Sequence, residues 1–244
     1  MNVLYIGAHN DDCECNAGGV AALLKEKGCK QLFVNPASIW HGDNISEETR
    51  KEWELQEIEA AKILGAQKIQ TADRYSGLYQ CNADDIKKLT KIICDFNPDI
   101  VFIHWPMDNH IEHRAVAELS EKALCLAHVK GSKISEIYAF EAGTAQTSDF
   151  FKPDFYIDVE SVLETVNESL RCFNQNTAKA HNLCRDKETR DIFRGSQIGI
   201  KYAEAFKIIK YPNRNNDFML KQLLNDQFCW AGNGMYPAGG YNYF

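Results

Sequence analysis

The sequence has 244 residues, of which 45% are hydrophobic, and a formal net charge of −7. That is enough apolar material for a sizeable core and too much for a disordered chain, and the length fits one domain over residues 1–244. The acidic balance, with no block of Lys and Arg, argues against nucleic acid or an anionic membrane surface as partner, and no run of about 18 apolar residues is present to span a bilayer.

The first element, "NVLYIGA", is a short apolar run without helical period and reads as a buried strand. "GGVAALLKEKGC" reads as a helix closed by Gly28, and "KQLFVNPAS" as a second strand. "SEETRKEWELQEIEAAKILGA" is a helix with Ser46 as N-cap and Gly65 at its end, followed by a third strand, "QKIQTA". "NADDIKKLTKIICDFNPD" is a helix that Pro98 stops. A fourth strand, "DIVFIHW", a fourth helix, "HRAVAELSEKALCLAHV", and a fifth strand, "KISEIYAFE", complete the alternation. "DFYIDV" is one more strand, and "ESVLETVNESLRCFNQN" and "KETRDIFRGSQIGIKYAEAFKII" are two helical stretches. The remainder, about residues 212–244, is rich in Gly and aromatics; it reads as irregular structure that serves as a lid or as the contact of a homo-oligomer.

Strands alternating with helices predict an α/β, Rossmann-like fold: a mainly parallel sheet with helices on both faces, wound by right-handed crossovers. The N-terminus "MNVLYIGAHNDD" has neither the basic region nor the cleavage site of a signal peptide. Nine scattered cysteines, an odd number, suit a reducing compartment. Together they lead to the expectation of a cytoplasmic protein.

Ligands of an open parallel sheet bind beyond the carboxyl ends of the strands, where strand order reverses. With order 3-2-1-4-5, strands 1 and 4 meet there. The tip of strand 1 carries His9, Asp11 and Asp12, and the segment "HWPMDNHIEH" after strand 4 carries His104, Asp108, His110, Glu112 and His113. "HNDD" alone also has the composition of a helix N-terminus; the second histidine cluster at the neighbouring tip is what favours a site. His9 and Asp12 are three residues apart, as are His110 and His113, so single turns present each pair together. Two imidazoles and a carboxylate form a three-ligand divalent site of the kind that catalytic zinc occupies. The third ligand is then either His110 or His113, and Asp11 is left over as a base. A His/His/carboxylate set also suits ferrous iron, so the expected cofactor is one divalent ion, zinc first and Fe(II) second.

At these residues the sequence resembles the LmbE-like, or PIG-L, family of metal-dependent N-acetylglucosaminyl deacetylases. The motif A-H-P-D-D, with an acidic residue and a glycine pair after it, appears as "AHNDDCE" with Gly18 and Gly19; H-P-D-H, followed by Arg-Ala, appears as "DNHIEHRAV". "EIYAFE", "DFYIDV" and "RGSQIGIKYAEAF" also look familial, so the resemblance covers most of residues 1–210. It implies that His9, Asp12 and His113 hold the metal, that Asp11 is the general base, and that His110 stabilises the oxyanion or protonates the leaving amine. It also implies that Glu14, Asp108 and Glu112 support the ligands from behind. Two departures stand out: Asn10 replaces the proline, and Ile111 and Glu112 replace Pro-Asp. Tyr75 and Tyr79, in the loop after strand 3, are the expected substrate contacts, on the same sheet edge. The implied function is removal of an N-acetyl group from an N-acetylglucosamine-type sugar or glycoside, a small-molecule amino-sugar substrate. A metal-dependent hydrolase of another amide or ester, and a non-catalytic sugar or nucleotide binder, are the alternatives.

Overall fold

The computed structural model describes residues 1–37, 46–71, 79–143, 151–173, 177–210 and 218–231. The first half alternates strictly: β1 (Asn2–Ile6), α1 (Asp12–Glu26), β2 (Lys30–Asn35), α2 (Glu47–Ile63), β3 (Ala66–Gln70), α3 (Ala83–Phe96), β4 (Ile100–His104), α4 (Ile111–Val129) and β5 (Glu136–Phe140). There follow β6 (Phe155–Asp158), a 3-10 turn at Glu160–Val162, α5 (Leu163–Arg171), α6 (Thr177–Ser196), β7 (Ala203–Lys210), α7 (Met219–Leu223) and β8 (Phe228–Trp230).

The strands form one sheet in the order β3-β2-β1-β4-β5-β7-β6-β8. From β3 to β5 every pairing is parallel; β7, β6 and β8 add antiparallel. Period-two alternation sends each strand to two cores. Val3, Tyr5, Phe33, Ile100 and Phe102 join residues of α1, α2 and α5 on one face. Leu4, Ile6, Leu32, Val34, Val101 and Ile103 join α3 and α4 on the other. The sheet is therefore covered by helices on both faces, as an α/β fold requires, and β1 beside β4 is the point where strand order reverses.

Local signals act as the sequence suggested. Ser46 Oγ accepts the Thr49 amide at 3.1 Å, capping α2. Asn97, just before Pro98, ends α3 in the left-handed conformation. Among the described residues no helix is long and apolar enough to cross a membrane.

Three expectations need correction. The stretch "KETRDIFRGSQIGIKYAEAFKII" is not helical throughout: α6 stops at Ser196, the chain reverses through Gly199, and "AEAFKIIK" is strand β7. Its alternation explains why, since Phe206 and Ile208 enter one core while Ala203 and Ala205 enter a third, smaller cluster. The region after residue 212 is not irregular where it is described: α7 and β8 form, and β8 pairs with β6. The rest of that region lies outside the described residues, and the lid or subunit-contact role with it. Finally, α1 begins at Asp12 rather than Gly18, with a non-helical break at Ala17 (φ −140, ψ 19), so residues 12–16 form a short first segment ahead of the expected helix.

Candidate metal centre

The turn between β1 and α1 carries the first cluster. A Cβ on Gly7 would stand 2.8 Å from Asp12 Cβ, so the missing side chain lets Asp12 fold back beside β1. Asp12 Oδ2 accepts the His9 amide at 2.7 Å, and Asn35 at the end of β2 donates to the carbonyls of Gly7 and His9. The second cluster comes from the other side of the reversal. His104 closes β4, and His110 is the N-cap of α4. Between them, Asp108 Oδ1 accepts the His110 amide at 2.7 Å, while Arg114 donates to the carbonyls of Asp108 and Asn109 at 2.6 and 3.1 Å. That turn holds Glu112 and His113 against His9.

His9 Nδ1 lies 3.3 Å from His113 Nε2 and 3.5 Å from Asp12 Oδ2, and His113 Nε2 lies 3.5 Å from Asp12 Oδ1. Each imidazole has a carboxylate on its other nitrogen: Glu112 Oε2 at 2.8 Å from His9 Nε2, and Asp108 Oδ2 at 3.3 Å from His113 Nδ1. Two sets of donors close enough for one ion overlap here, His9/His110/His113 and Asp12/His104/His113. The spacing suits an ion. Ligands held tetrahedrally about 2.0–2.1 Å from a zinc stand roughly 3.3–3.4 Å from one another.

Electrostatics follow from four imidazoles packed among carboxylates. Burial lowers the His9 pKa, but Asp12, through a hydrogen bond and its charge, and then Glu112 and Asp11 outweigh it and raise it to about 9. Burial pushes Asp12 up, yet the charges of His113 and His104 hold it well below the usual carboxylate range. His104 is driven down to about 4, by burial first and then by the charge of His113. His110 is lowered by burial and by its two histidine neighbours.

The structure thus brings His9, Asp12, His110 and His113 together, with Asp108 behind His113 and Glu112 behind His9. Asp11 is the half-buried N-cap residue of α1, and its side chain makes no capping bond. Glu14 does not reach a ligand: it is buried against Lys68 at 2.7 Å, and Lys68 in turn donates to the Asn10 carbonyl. Glu14 therefore braces the backbone of the turn at one remove. The Tyr79 hydroxyl donates to Asp85 at 2.9 Å, while its backbone amide donates to Glu112 Oε1 at 2.8 Å. With Arg114 and Glu118 it lines a cavity of about 470 Å³ along α4. Tyr75 lies outside the described residues. His104 touches Asp12, and its only mark in the sequence is an apolar strand ending in histidine.

Residues 4–124 match the family model of PIG-L, described as GlcNAc-PI de-N-acetylase. The chain belongs to the PIG-L family. The matched stretch runs from β1 into α4 and includes both clusters. The fold of this PIG-L chain is similar to several solved structures. The 4-carboxy-2-hydroxymuconate hydratase GalB of Pseudomonas putida KT2440 matches at 22% identity and TM-score 0.72, over 89% of this chain and 99% of that one. The N,N'-diacetylchitobiose deacetylase of Pyrococcus horikoshii matches at 22% identity and TM-score 0.72, over 85% and 83%. The zinc-inhibited form of the teicoplanin deacetylase Orf2 matches at 14% identity and TM-score 0.61, over 84% and 97%. At such identities the likeness is one of fold, and one fold hosts both a hydratase and deacetylases.

Proposed function

We propose that this protein is a metal-dependent N-deacetylase that hydrolyses the acetamide of an N-acetylglucosamine-type amino sugar or glycoside. The observation that carries the reading is the cluster in which His9 Nδ1 lies 3.3 Å from His113 Nε2 and Asp12 turns Oδ2 to the first and Oδ1 to the second at 3.5 Å each, with a carboxylate behind each imidazole. These three side chains would hold one divalent ion, zinc ahead of Fe(II). A bound ion there supplies Lewis acidity, which acidifies water and polarises an acyl oxygen.

The chain's own groups do the rest. Asp11 accepts the proton of the attacking water, whose oxygen bonds to the acetyl carbon. The Glu112 amide donates to His110 Nδ1 at 3.3 Å, which leaves the ring proton on Nε2. That N–H donates to the oxygen that gains negative charge. The C–N bond then breaks, the amine takes up the proton, and acetate and free amino sugar leave. The reaction belongs in the cytoplasm, since all nine cysteines are free thiols and suit a reducing compartment.

One comparison favours a second reading. The hydratase GalB shares the fold over 89% of this chain, and adding water across a carbon–carbon double bond also needs a base and an acid beside the water. Stripped protein reloaded with Zn²⁺ or Fe²⁺ separates the two. Acetate released from a panel of N-acetyl amino sugars supports deacetylation; loss of the ultraviolet absorbance of an unsaturated dicarboxylate, without acetate, supports hydration.

A further inference from the structure

His104 contacts two of the three proposed metal ligands and has no role in the chemistry above. It is fully buried at the end of β4. Its Nε2 accepts the Ala8 amide at 2.9 Å and lies 3.0 Å from Asp12 Oδ2. Its ring stacks on that of His113 at 4.1 Å between centroids and 15° between planes, with the Phe140 ring edge-on at 4.7 Å. His104 thus joins the end of β4 directly to the turn that carries His9 and Asp12.

A carboxylate turns easily about its last torsion, because that rotor has broad wells. On Asp12, Oδ2 accepts the His9 amide and packs against His104, and Oδ1 is the oxygen that faces His113 at 3.5 Å. The amide contact on one oxygen restrains the rotation and presents the other, and it holds only while the Ala8–His9 backbone stays where His104 anchors it. The stack on His113 fixes a second ligand's ring plane from the same residue. The anchor is also stiff: β4 is wholly buried between β1 and β5.

We infer that His104 is a positioning residue: its Nε2 anchors the Ala8 amide, and with it the turn that bears His9 and Asp12, and its ring sets the plane of His113, so that these side chains are poised for one ion. This rests on the metal-centre reading above. The position of the nitrogen makes it testable, because a Gln amide reaches the place of Nε2 while an Asn amide reaches that of Nδ1. Removing a group that orients a ligand typically costs about 10–100-fold in metal affinity.

The experiment titrates Zn²⁺ into stripped wild type, His104→Gln, His104→Asn, His104→Phe and His9→Ala against a chromophoric chelator, with a thermal melt of each. His104→Asn and His104→Phe are expected to bind Zn²⁺ about 10–100-fold more weakly, and His104→Gln to stay closest to wild type. Should His104→Phe fail to fold, the Gln and Asn pair still decides. Equal losses in Gln and Asn would mean that His104 only fills space, and wild-type affinity in all three, with His9→Ala defective, would mean that the turn needs no anchor; either overturns the inference alone. Wild-type affinity in His9→Ala would instead overturn the metal-centre reading, and this inference with it.

Discussion

Asp11 and Asp12 are chain neighbours with different surroundings. Asp12 is buried among three imidazoles, whereas Asp11 is half-buried at the start of α1. Asn nearly keeps the shape of Asp but accepts no proton. Asp11→Asn is therefore expected to retain the metal and lose at least about 10²-fold in turnover, while Asp12→Asn loses metal; elemental analysis beside an acetate assay reads both, and the reverse pattern would exchange their roles. Glu57 gives a test that is independent of the chemistry. It accepts from Asn10 Nδ2 at 2.5 Å and also from Gln70, and burial first, with the charges of Glu14 and Asp11 behind it, raises its pKa to about 7 against the pull of Lys68 and Asn10. The folded state then binds that proton more tightly than the unfolded chain, whose carboxyl titrates near 4.5. The resulting stability is full below about pH 4.5 and is lost as pH rises through about 7. Urea titrations should show wild type weakening across that window, by roughly 1.4 kcal/mol for each tenfold gain in proton affinity on folding. Glu57→Gln should remove this part of the slope; equal slopes would mean that Glu57 is ionised throughout. The two clusters of the candidate site were legible because polar side chains at strand tips break an apolar pattern. The contacts of His104 and of Glu14 were not, since their partners lie 92 and 54 residues away.

The break in α1 is the element on which the first motif depends. After Ala17 the helix restarts, and Glu204 on β7 accepts the amides of Gly19 and Val20 at 2.7 and 2.9 Å, capping the second segment. Lys187 on α6 bridges Glu204 and Asp191 at 2.7 Å each, and Arg190 donates to Asn16 and to the Cys15 carbonyl at the end of the first segment. The glycine pair makes this approach possible, but unequally. A Cβ on Gly19 would meet Val159 Cγ1 at 2.4 Å and Glu204 Cδ at 3.0 Å, whereas one on Gly18 would meet nothing nearer than Val166 Cγ1 at 3.3 Å. Gly19→Ala should cost about 1–3 kcal/mol through overpacking and Gly18→Ala clearly less, by thermal or urea denaturation; similar costs would mean that Val159 yields easily. The sequence placed a helix start at Gly18, where the second segment begins, but β7 was read as helix. Phe206 and Ile208 enter the main core because α1 and α6 cover that side of β7, and that covering is tertiary.

At the scale of the molecule the parallel half holds the candidate site and the antiparallel half secures it. Strand order from β3 to β5 was legible because alternating helices and strands admit few windings. The addition of β7, β6 and β8 was not, as it depends on aromatic packing between distant segments. Phe155 stacks on Phe228 at 4.7 Å and on Phe206 at 5.4 Å, and Trp230 meets Phe228 edge-on at 4.9 Å. Truncating Phe228 opens a cavity against β6, so Phe228→Ala should lose about 3–5 kcal/mol. A lower urea midpoint at an unchanged slope would report the loss; an unchanged midpoint would mean that β8 contributes nothing to the sheet.

The cap on α1 also orders events during synthesis. Gly19 and Glu204 are separated by 185 residues. A ribosome adding about 5–20 residues per second needs on the order of 10–40 s to cover that distance. The turn bearing His9 and Asp12 thus emerges early and waits, with its helix uncapped, until β7 is made. Ion capture is expected to be deferred to the same moment: nascent chains arrested before residue 204 should retain Zn²⁺ poorly and those arrested well beyond it should retain it, whereas equal retention would show that the motif assembles without its distant cap. A graft of residues 4–124 alone would carry the candidate ligands but leave behind the carboxylate that caps their helix.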